Sequence, residues 1–278
     1  MIPGDGVHLC QPGGGKSCGA CCGLYNYADS RREALEARLA ARTRLFLETV
    51  RNREDLPEYA AHIRRTEDPA KRYEVIYCCE YLGFIDPAGE TVGCLLHPLQ
   101  NGGEDWRDVS FYGRELCDGH FCPSYHYLTR TESQALVHII DDWYLYGLCV
   151  TDIDLVKSWF RLIADAVHEM PGAEKFVRGP LRDISRRFFD LKQTWPFRGE
   201  DTNRFGKYYF DGAQYMITAI DYKRLGCQSS RFDGIFRSLT SEFKSADSLR
   251  RAEAVIRELL DEFTVAYGRT YGEERDAG

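Results

Sequence analysis

Long apolar runs are missing from this sequence of 278 residues. A membrane-spanning helix needs about 20 predominantly apolar residues, and the nearest approach, ALVHIIDDWYLYGLCV, is interrupted by Asp141 and Asp142. The first residues, MIPGDGVHL, also lack the basic start and apolar stretch of a secretory signal. We therefore expect a cytoplasmic protein with no membrane partner.

An excess of basic residues is missing as well. Lysine and arginine number 36 against 43 aspartates and glutamates, which gives a net charge of −7. Binding to nucleic acid needs a basic surface that neutralises phosphates, so we expect no nucleic-acid partner. The phosphate-loop pattern GxxxxGK[ST] and the zinc-protease pattern HExxH do not occur. The sequence assigns no catalytic residue, and whether the protein is an enzyme stays open.

Cysteine, by contrast, is abundant and unevenly placed. The chain has 11 cysteines, and all but Cys149 and Cys227 precede residue 123. An odd number excludes complete internal pairing, and clustered cysteines in a reducing compartment more often bind metal than form disulfides. Cys149 and Cys227 are interpreted as inert core residues. The sequence thus predicts a cysteine-rich metal-binding region, residues 1–128, and a helical body, residues 129–278.

Apolar residues at three- and four-residue steps run through the second region, as is typical of amphipathic helices. Thr131 with Gln134, and Thr151 with Asp154, have the spacing of capping boxes and predict two helix starts. A further helix is expected to be broken or kinked near Pro180. The segment after residue 245 has the clearest apolar stripe and predicts the last helix.

The first region mixes structure types. Ser30 with Glu33 predicts the start of a helix, and YEVIYCCEYLGFIDPAGETVGCLLHP predicts a β-hairpin. That hairpin would carry Cys78 and Cys79 on one arm and Cys94 on the other. The predicted fold class is therefore mainly α (α+β), with an irregular cysteine-rich metal-binding region and a β-hairpin followed by a multi-helix body.

The stretch HLCQPGGGKSCGACCG contains a chelating pattern, Cys18-x-x-Cys21, in which two intervening residues let both thiolates face one ion. Flanking glycines allow the tight turn that such a knuckle needs. Cys10 and Cys22 extend the same stretch. Neighbouring strand residues point to opposite faces, so only one of Cys78 and Cys79 is expected to be a ligand, and the pattern favours Cys79.

Further ligands come from the segments CLLHP and ELCDGHFCPSYH. His97, His120 or His126 could complete a site, because imidazole suits zinc and iron. Seven to nine cysteines can fill two tetrahedral sites, or one four-iron cluster with thiols left over. The predicted metal ligands are Cys10, Cys18, Cys21, Cys22, Cys79, Cys94, Cys117 and Cys122.

Together, SCGACCG, CCEYLGFID with GCLLHP, and CDGHFCPSY resemble the cysteine-rich CxxCxxCC family of zinc- or iron-chelating proteins. The resemblance covers roughly residues 10–125 and leaves the helical body outside it. Gly15 stands where that family has its first knuckle cysteine, so Cys10 would take that role from farther upstream. His97-Pro98 stands near the position of the family's arginine-proline pair. The resemblance implies ligand roles for Cys18, Cys21, Cys22, Cys79, Cys94, Cys117 and Cys122.

We expect a metal-binding protein that chelates zinc or iron through these cysteines, the metal being mainly structural. Activity, or a protein partner, would then belong to the helical body. One alternative is an iron–sulfur cluster protein with redox or enzymatic activity, although the common ferredoxin spacings are missing. The other alternative is a helical interaction protein without bound metal.

Overall fold

Helices dominate the protein, which confirms the predicted mainly α (α+β) class. The computed structural model describes residues 8–200, 203–205, 208–211 and 214–271. In that part of the chain, no helix is both long and apolar enough to cross a membrane. The helices are α1 (Arg32–Thr49), α2 (Leu56–Thr66), α3 (Gly113–Gly119), α4 (Ser124–Tyr127), α5 (Arg130–Ile139), α6 (Trp143–Val150), α7 (Ile153–Val167), α8 (Pro180–Thr194), α9 (Asp233–Ser238) and α10 (Ala246–Tyr271).

Two antiparallel hairpins accompany these helices: β1 (Leu82–Phe84) with β2 (Val92–Cys94), and β3 (Tyr208–Asp211) with β4 (Gln214–Ile217). The sequence predicts the first hairpin and not the second. In the first, Leu82 lies opposite Cys94. Cys94 is therefore on a strand, as expected. Cys78 and Cys79 are not, because β1 is only 3 residues long and begins after them.

Two helices of the body begin at other residues than predicted. The capping box of α5 is formed by Thr129 and Glu132, two residues before the predicted pair. The Thr129 hydroxyl accepts from the Glu132 N–H at 3.2 Å, and the Glu132 carboxylate accepts from the Thr129 N–H at 2.7 Å. Asp152, and not Thr151, caps α7 by accepting from the backbone N–H of Leu155 at 3.1 Å.

Two further predictions, the cap of α1 and the kink at Pro180, also differ from the structure. Ser30 does not cap α1, which has Arg31 at its N-cap position without a side-chain hydrogen bond. The Ser30 hydroxyl instead accepts from the backbone N–H of Arg204 at 2.8 Å, so it joins two distant segments. Pro180 is the first residue of α8 and neither breaks nor kinks it, because the first turn of a helix needs no N–H there.

The core of the body lies where α7, α8 and α10 meet. The ring of Trp159 from α7 stacks on Phe188 from α8, with 4.3 Å between the ring centroids. Phe263 from α10 meets Trp159 edge-on at 5.8 Å. All three side chains are fully buried. Burial of large aromatic surfaces supplies most of the favourable free energy in such a core.

Helix α6 belongs to both regions of the chain. Every one of its residues is buried, as expected for a helix that is apolar on all sides. Tyr146 and Cys149 pack into the core of the body, whereas Trp143 and Leu148 pack with the cysteine-rich region. The predicted division at residue 128 stays a prediction, since α6 contributes side chains to the cores on both sides of it.

A buried ion pair fastens three helices of the body together. Lys192 on α8 lies 2.7 Å from the carboxylate of Asp152, and the two side chains are 0% and 5% exposed. Lys192 also donates to the carbonyl of Ser238 on α9 at 2.9 Å, and the Ser238 hydroxyl donates to Asp152 at 2.9 Å. Removing one partner of such a pair leaves an uncompensated buried charge.

We therefore expect Lys192→Met to lower the free energy of unfolding by about 3–5 kcal/mol, measured by urea denaturation. Arg187→Met is the matched control, because Arg187 pairs with Glu262 on the exposed surface. Its cost should stay below about 1 kcal/mol. Equal losses in the two variants would show that the buried pair has no special role.

Candidate metal centre

A single cavity of about 430 Å³ in the first region collects the predicted ligands. Cys78 and His126 do not line it, whereas His97 and His120 do. The cysteines that line it come from the knuckle, the segment before β1, strand β2, helix α3 and the turn before α4. They are Cys10, Cys18, Cys21, Cys22, Cys79, Cys94, Cys117 and Cys122, and they are called the cavity cysteines below.

The knuckle is held by a short 3₁₀ turn, Ala20–Cys22. Before this turn, the backbone N–H of Cys18 donates to the carbonyl of Cys10 at 2.9 Å. Cys10 therefore lies beside Cys18, although it stands eight positions earlier in the sequence. This contact places Cys10 next to the knuckle, where Gly15 stands at the position of the first knuckle cysteine of the CxxCxxCC family.

Gly23 lets the knuckle pack against the segment that contains Cys79. Its φ of +81° is in the left-handed region, and a Cβ atom at this position would lie 2.2 Å from the carbonyl oxygen of Tyr77. The close approach allows the backbone N–H of Cys79 to donate to the carbonyl of Cys22 at 2.9 Å. A side chain at Gly23 would push these two cysteines apart.

The two adjacent cysteines before β1 have different surroundings. The Cys78 thiol donates to the carbonyl of Gly23 at 3.3 Å and accepts from the Asn26 amide at 3.7 Å, so hydrogen bonds within the protein already engage it. Cys79 faces the cavity instead. Only Cys79 of the pair therefore lines the cavity, and its role as a metal ligand stays a prediction.

Cys94 and Cys117 line the cavity from strand β2 and helix α3. Cys94 ends β2, and Cys117 lies on α3 with its sulfur 3.6 Å from the Ser110 hydroxyl. The ring of Phe111 stacks on Tyr77 with 4.5 Å between centroids. This stacking holds the chain that leads into α3 against the segment that leads to Cys79.

Polar groups that the sequence does not single out also lie at the cavity. The Tyr125 hydroxyl donates to the Cys10 sulfur at 3.6 Å and lies 3.3 Å from Nδ1 of His8. Arg107 is buried, lines the cavity and forms ion pairs with Asp105 at 2.7 Å and Asp118 at 3.0 Å. In sequence, only the nearness of Tyr125 to the CPSYH cysteine hints at such a role.

Burial and crowding disfavour the ionised form of most of these thiols. Burial, followed by the neighbouring cysteines, raises the pKa of Cys22 well above its usual value. Burial also raises the pKa of Cys79 to about 12 and that of Cys94 to about 11. Interaction with Cys21 lowers the pKa of the Cys122 thiol, and the same interaction, followed by burial, raises the pKa of Cys21. A bound cation reverses this preference, because it stabilises thiolates.

The donor set fits a thiophilic metal in chemistry. Thiolates are preferred ligands of zinc and of iron–sulfur clusters. Among the described residues, however, no three histidine, cysteine, aspartate or glutamate side chains are already arranged to hold an ion. The cavity cysteines therefore surround the space without converging on one point. Metal binding would require them to rotate inward about their side-chain bonds.

Residues 15–19, GKSCG, also match the GxSxG pattern of serine hydrolases. Ser17 does not fit that role, because its side chain is fully buried. Its hydroxyl accepts a hydrogen bond from the backbone N–H of Val92 at 2.7 Å. Ser17 thus connects the knuckle to β2, and a nucleophile of this class would instead be exposed on a turn between a strand and a helix.

No protein family, curated protein or solved structure matches the chain. The resemblance to the CxxCxxCC family therefore depends only on the motifs quoted above and stays a prediction.

Replacing Gly23 by alanine tests whether the knuckle must pack closely. Gly23→Ala should lower both the bound metal and the free energy of unfolding, because the new methyl group meets Tyr77. Gly226→Ala is the control: its φ is +66°, and no atom lies within 4 Å of the added Cβ. Both variants carry a left-handed strain of about 1–2 kcal/mol. Metal content, measured by elemental analysis, should fall in Gly23→Ala alone, and a parallel fall in both would contradict the close-packing explanation.

Proposed function

We propose that this protein binds zinc, or iron in its place, through the cavity cysteines, and that the metal is mainly structural. The observation that carries the proposal is that five separate chain segments bring eight thiols to one cavity. Such a set is the donor chemistry of zinc and iron centres in a reducing compartment. Thiols left this close together without metal would be prone to oxidation and crosslinking.

The local structure around the cavity supports a structural role. Between residue 8 and α1, the regular structure consists of two 3₁₀ turns of 3 residues each. The strands β1 and β2 also have 3 residues each. Elements this short provide few hydrogen bonds to hold their segments together. A metal that joins the segments would contribute its binding free energy directly to folding.

An iron–sulfur cluster is the second candidate, and the hydroxyl groups around the cavity favour it. Hydroxyl groups lie near two of the sulfurs, those of Cys10 and Cys117. Hydrogen bonds to ligand sulfurs tune the reduction potential of such clusters. The protein would then have a redox or enzymatic activity.

Elemental analysis and a visible absorption spectrum of protein purified without oxygen distinguish these candidates. Bound zinc and a colourless solution support the structural zinc centre. Brown colour with iron and acid-labile sulfide supports the cluster. Metal-free protein that is fully folded would contradict both and leave a helical interaction protein without bound metal.

The adjacent pair Cys78 and Cys79 offers a matched test of the site. Cys79→Ser should lose bound metal, because it removes a thiolate from the cavity. Cys78→Ser should keep its metal, since a serine hydroxyl can replace the hydrogen bond to Gly23. The two cysteines are similarly buried, 7% and 6% exposed, so general core damage should be alike. Retention of metal by Cys79→Ser would exclude Cys79 as a ligand.

A further inference from the structure

We propose that the cavity cysteines form two separate centres of four thiolates each, with the adjacent residues Cys21 and Cys22 in different centres. This inference rests on the proposed metal-binding function. The first thiol group consists of Cys10, Cys18, Cys21 and Cys122. The second thiol group consists of Cys22, Cys79, Cys94 and Cys117.

Contacts within the first thiol group join the knuckle to the turn before α4. Cys10 and Cys18 are linked by a backbone hydrogen bond of 2.9 Å. Tyr125 donates to the sulfur of Cys10, and its own N–H donates to the carbonyl of Cys122 at 3.0 Å. Cys21 follows Cys18 at the chelating C-x-x-C spacing. Each member of the group is therefore connected to another through a backbone hydrogen bond, through Tyr125 or through the spacing of the knuckle.

Contacts within the second thiol group lie on the opposite side of the knuckle. Cys79 donates to the carbonyl of Cys22 at 2.9 Å. Two residues after Cys79, the Tyr81 carbonyl accepts from the N–H of Leu95, the neighbour of Cys94, also at 2.9 Å. Cys117 joins through the stacking of the segment before α3 on Tyr77. The two nearest of these contacts are between backbones, so they persist when the side chains rotate.

The 3₁₀ turn explains why neighbouring cysteines separate. With three residues per turn, successive side chains project about 120° apart. Cys21 and Cys22 lie in such a turn, so they point in different directions.

Cys22 is joined to the second thiol group through its backbone, because its carbonyl accepts from the N–H of Cys79. The apolar packing divides in the same way. Cys18 packs against the core of the body. Cys79 belongs to the core around α2, and Cys22 and Cys94 pack against it.

The number and charge of the thiols suit two divalent ions. Four thiols that bind one such ion release four protons and give a centre of net charge −2. Arg107 lines the same cavity as Cys94 and Cys117, where it is paired with Asp105 and Asp118. The phenol of Tyr125 donates toward the first centre.

Cadmium-113 NMR of the full chain tests the division, with Cd²⁺ added to metal-free, reduced protein. The wild type should bind two Cd²⁺ ions and show two resonances, both at shifts typical of four sulfur ligands. Cys21→Ser should remove or shift one resonance, and Cys22→Ser should remove or shift the other. Each variant should retain about half of the tightly bound cadmium.

If each cadmium resonance is split by coupling to the other ion, a thiolate bridges the two ions and the division is wrong. Loss of the same resonance in both variants would also overturn the division. A single tightly bound ion would also overturn the division while leaving the metal-binding function intact. Failure of the wild type to bind any Cd²⁺ would contradict the metal-binding function itself.

A second measurement uses the wild type alone and does not depend on folding of the variants. Metal is removed in steps with a chelator, free thiols are alkylated at each step, and the modified positions are identified by mass spectrometry. The first and second thiol groups should become reactive as two separate sets of four. Simultaneous labelling of all eight, or labelling in sets that mix the groups, would overturn the division.

Discussion

Eight thiols around one cavity set the main physical constraint on the cysteine-rich region. Burial and mutual proximity disfavour ionisation of Cys18 and Cys22, while the elements that position them are only a few residues long. A divalent cation bound in this cavity would favour the ionised form of the thiols, because it stabilises thiolates that burial disfavours. It would also link the chain segments that carry them. The order of this region is therefore expected to depend on its metal far more than the order of the helical body does.

The body is held together by more common interactions. Large aromatic side chains fill its core where α7, α8 and α10 meet, and the buried pair of Lys192 and Asp152 joins its helices. Helix α6 connects the two regions, since Trp143 and Tyr146 lie on it and pack into different cores. Loss of the metal should thus disturb the structure of the cysteine-rich region and leave the helical body folded.

Residue types single out the first region as the place of the site, because nine of the 11 cysteines precede residue 123 and Cys18-x-x-Cys21 has chelating spacing. The sequence pattern favours Cys79 over Cys78, and only Cys79 of the two lines the cavity, although β1 starts after both. The position of Cys10 could not be derived from spacing, since it depends on one backbone bond to Cys18 across a glycine turn. Two helix starts differ from the prediction because neighbouring residues compete for the cap. Thr129 with Glu132 has the same capping-box spacing as Thr131 with Gln134, and Asp152 stands next to Thr151. The grouping of the thiols depends on contacts between distant segments, such as Phe111 with Tyr77.

X-ray absorption at the metal edge, on full-length protein purified without oxygen, tests the central claim most directly. The account predicts that each bound metal is surrounded by sulfur, at about 2.3 Å if the metal is zinc. A coordination shell made mainly of nitrogen or oxygen would show that the cavity cysteines are not the ligands. Such a result would contradict the account, whatever the amount of metal bound.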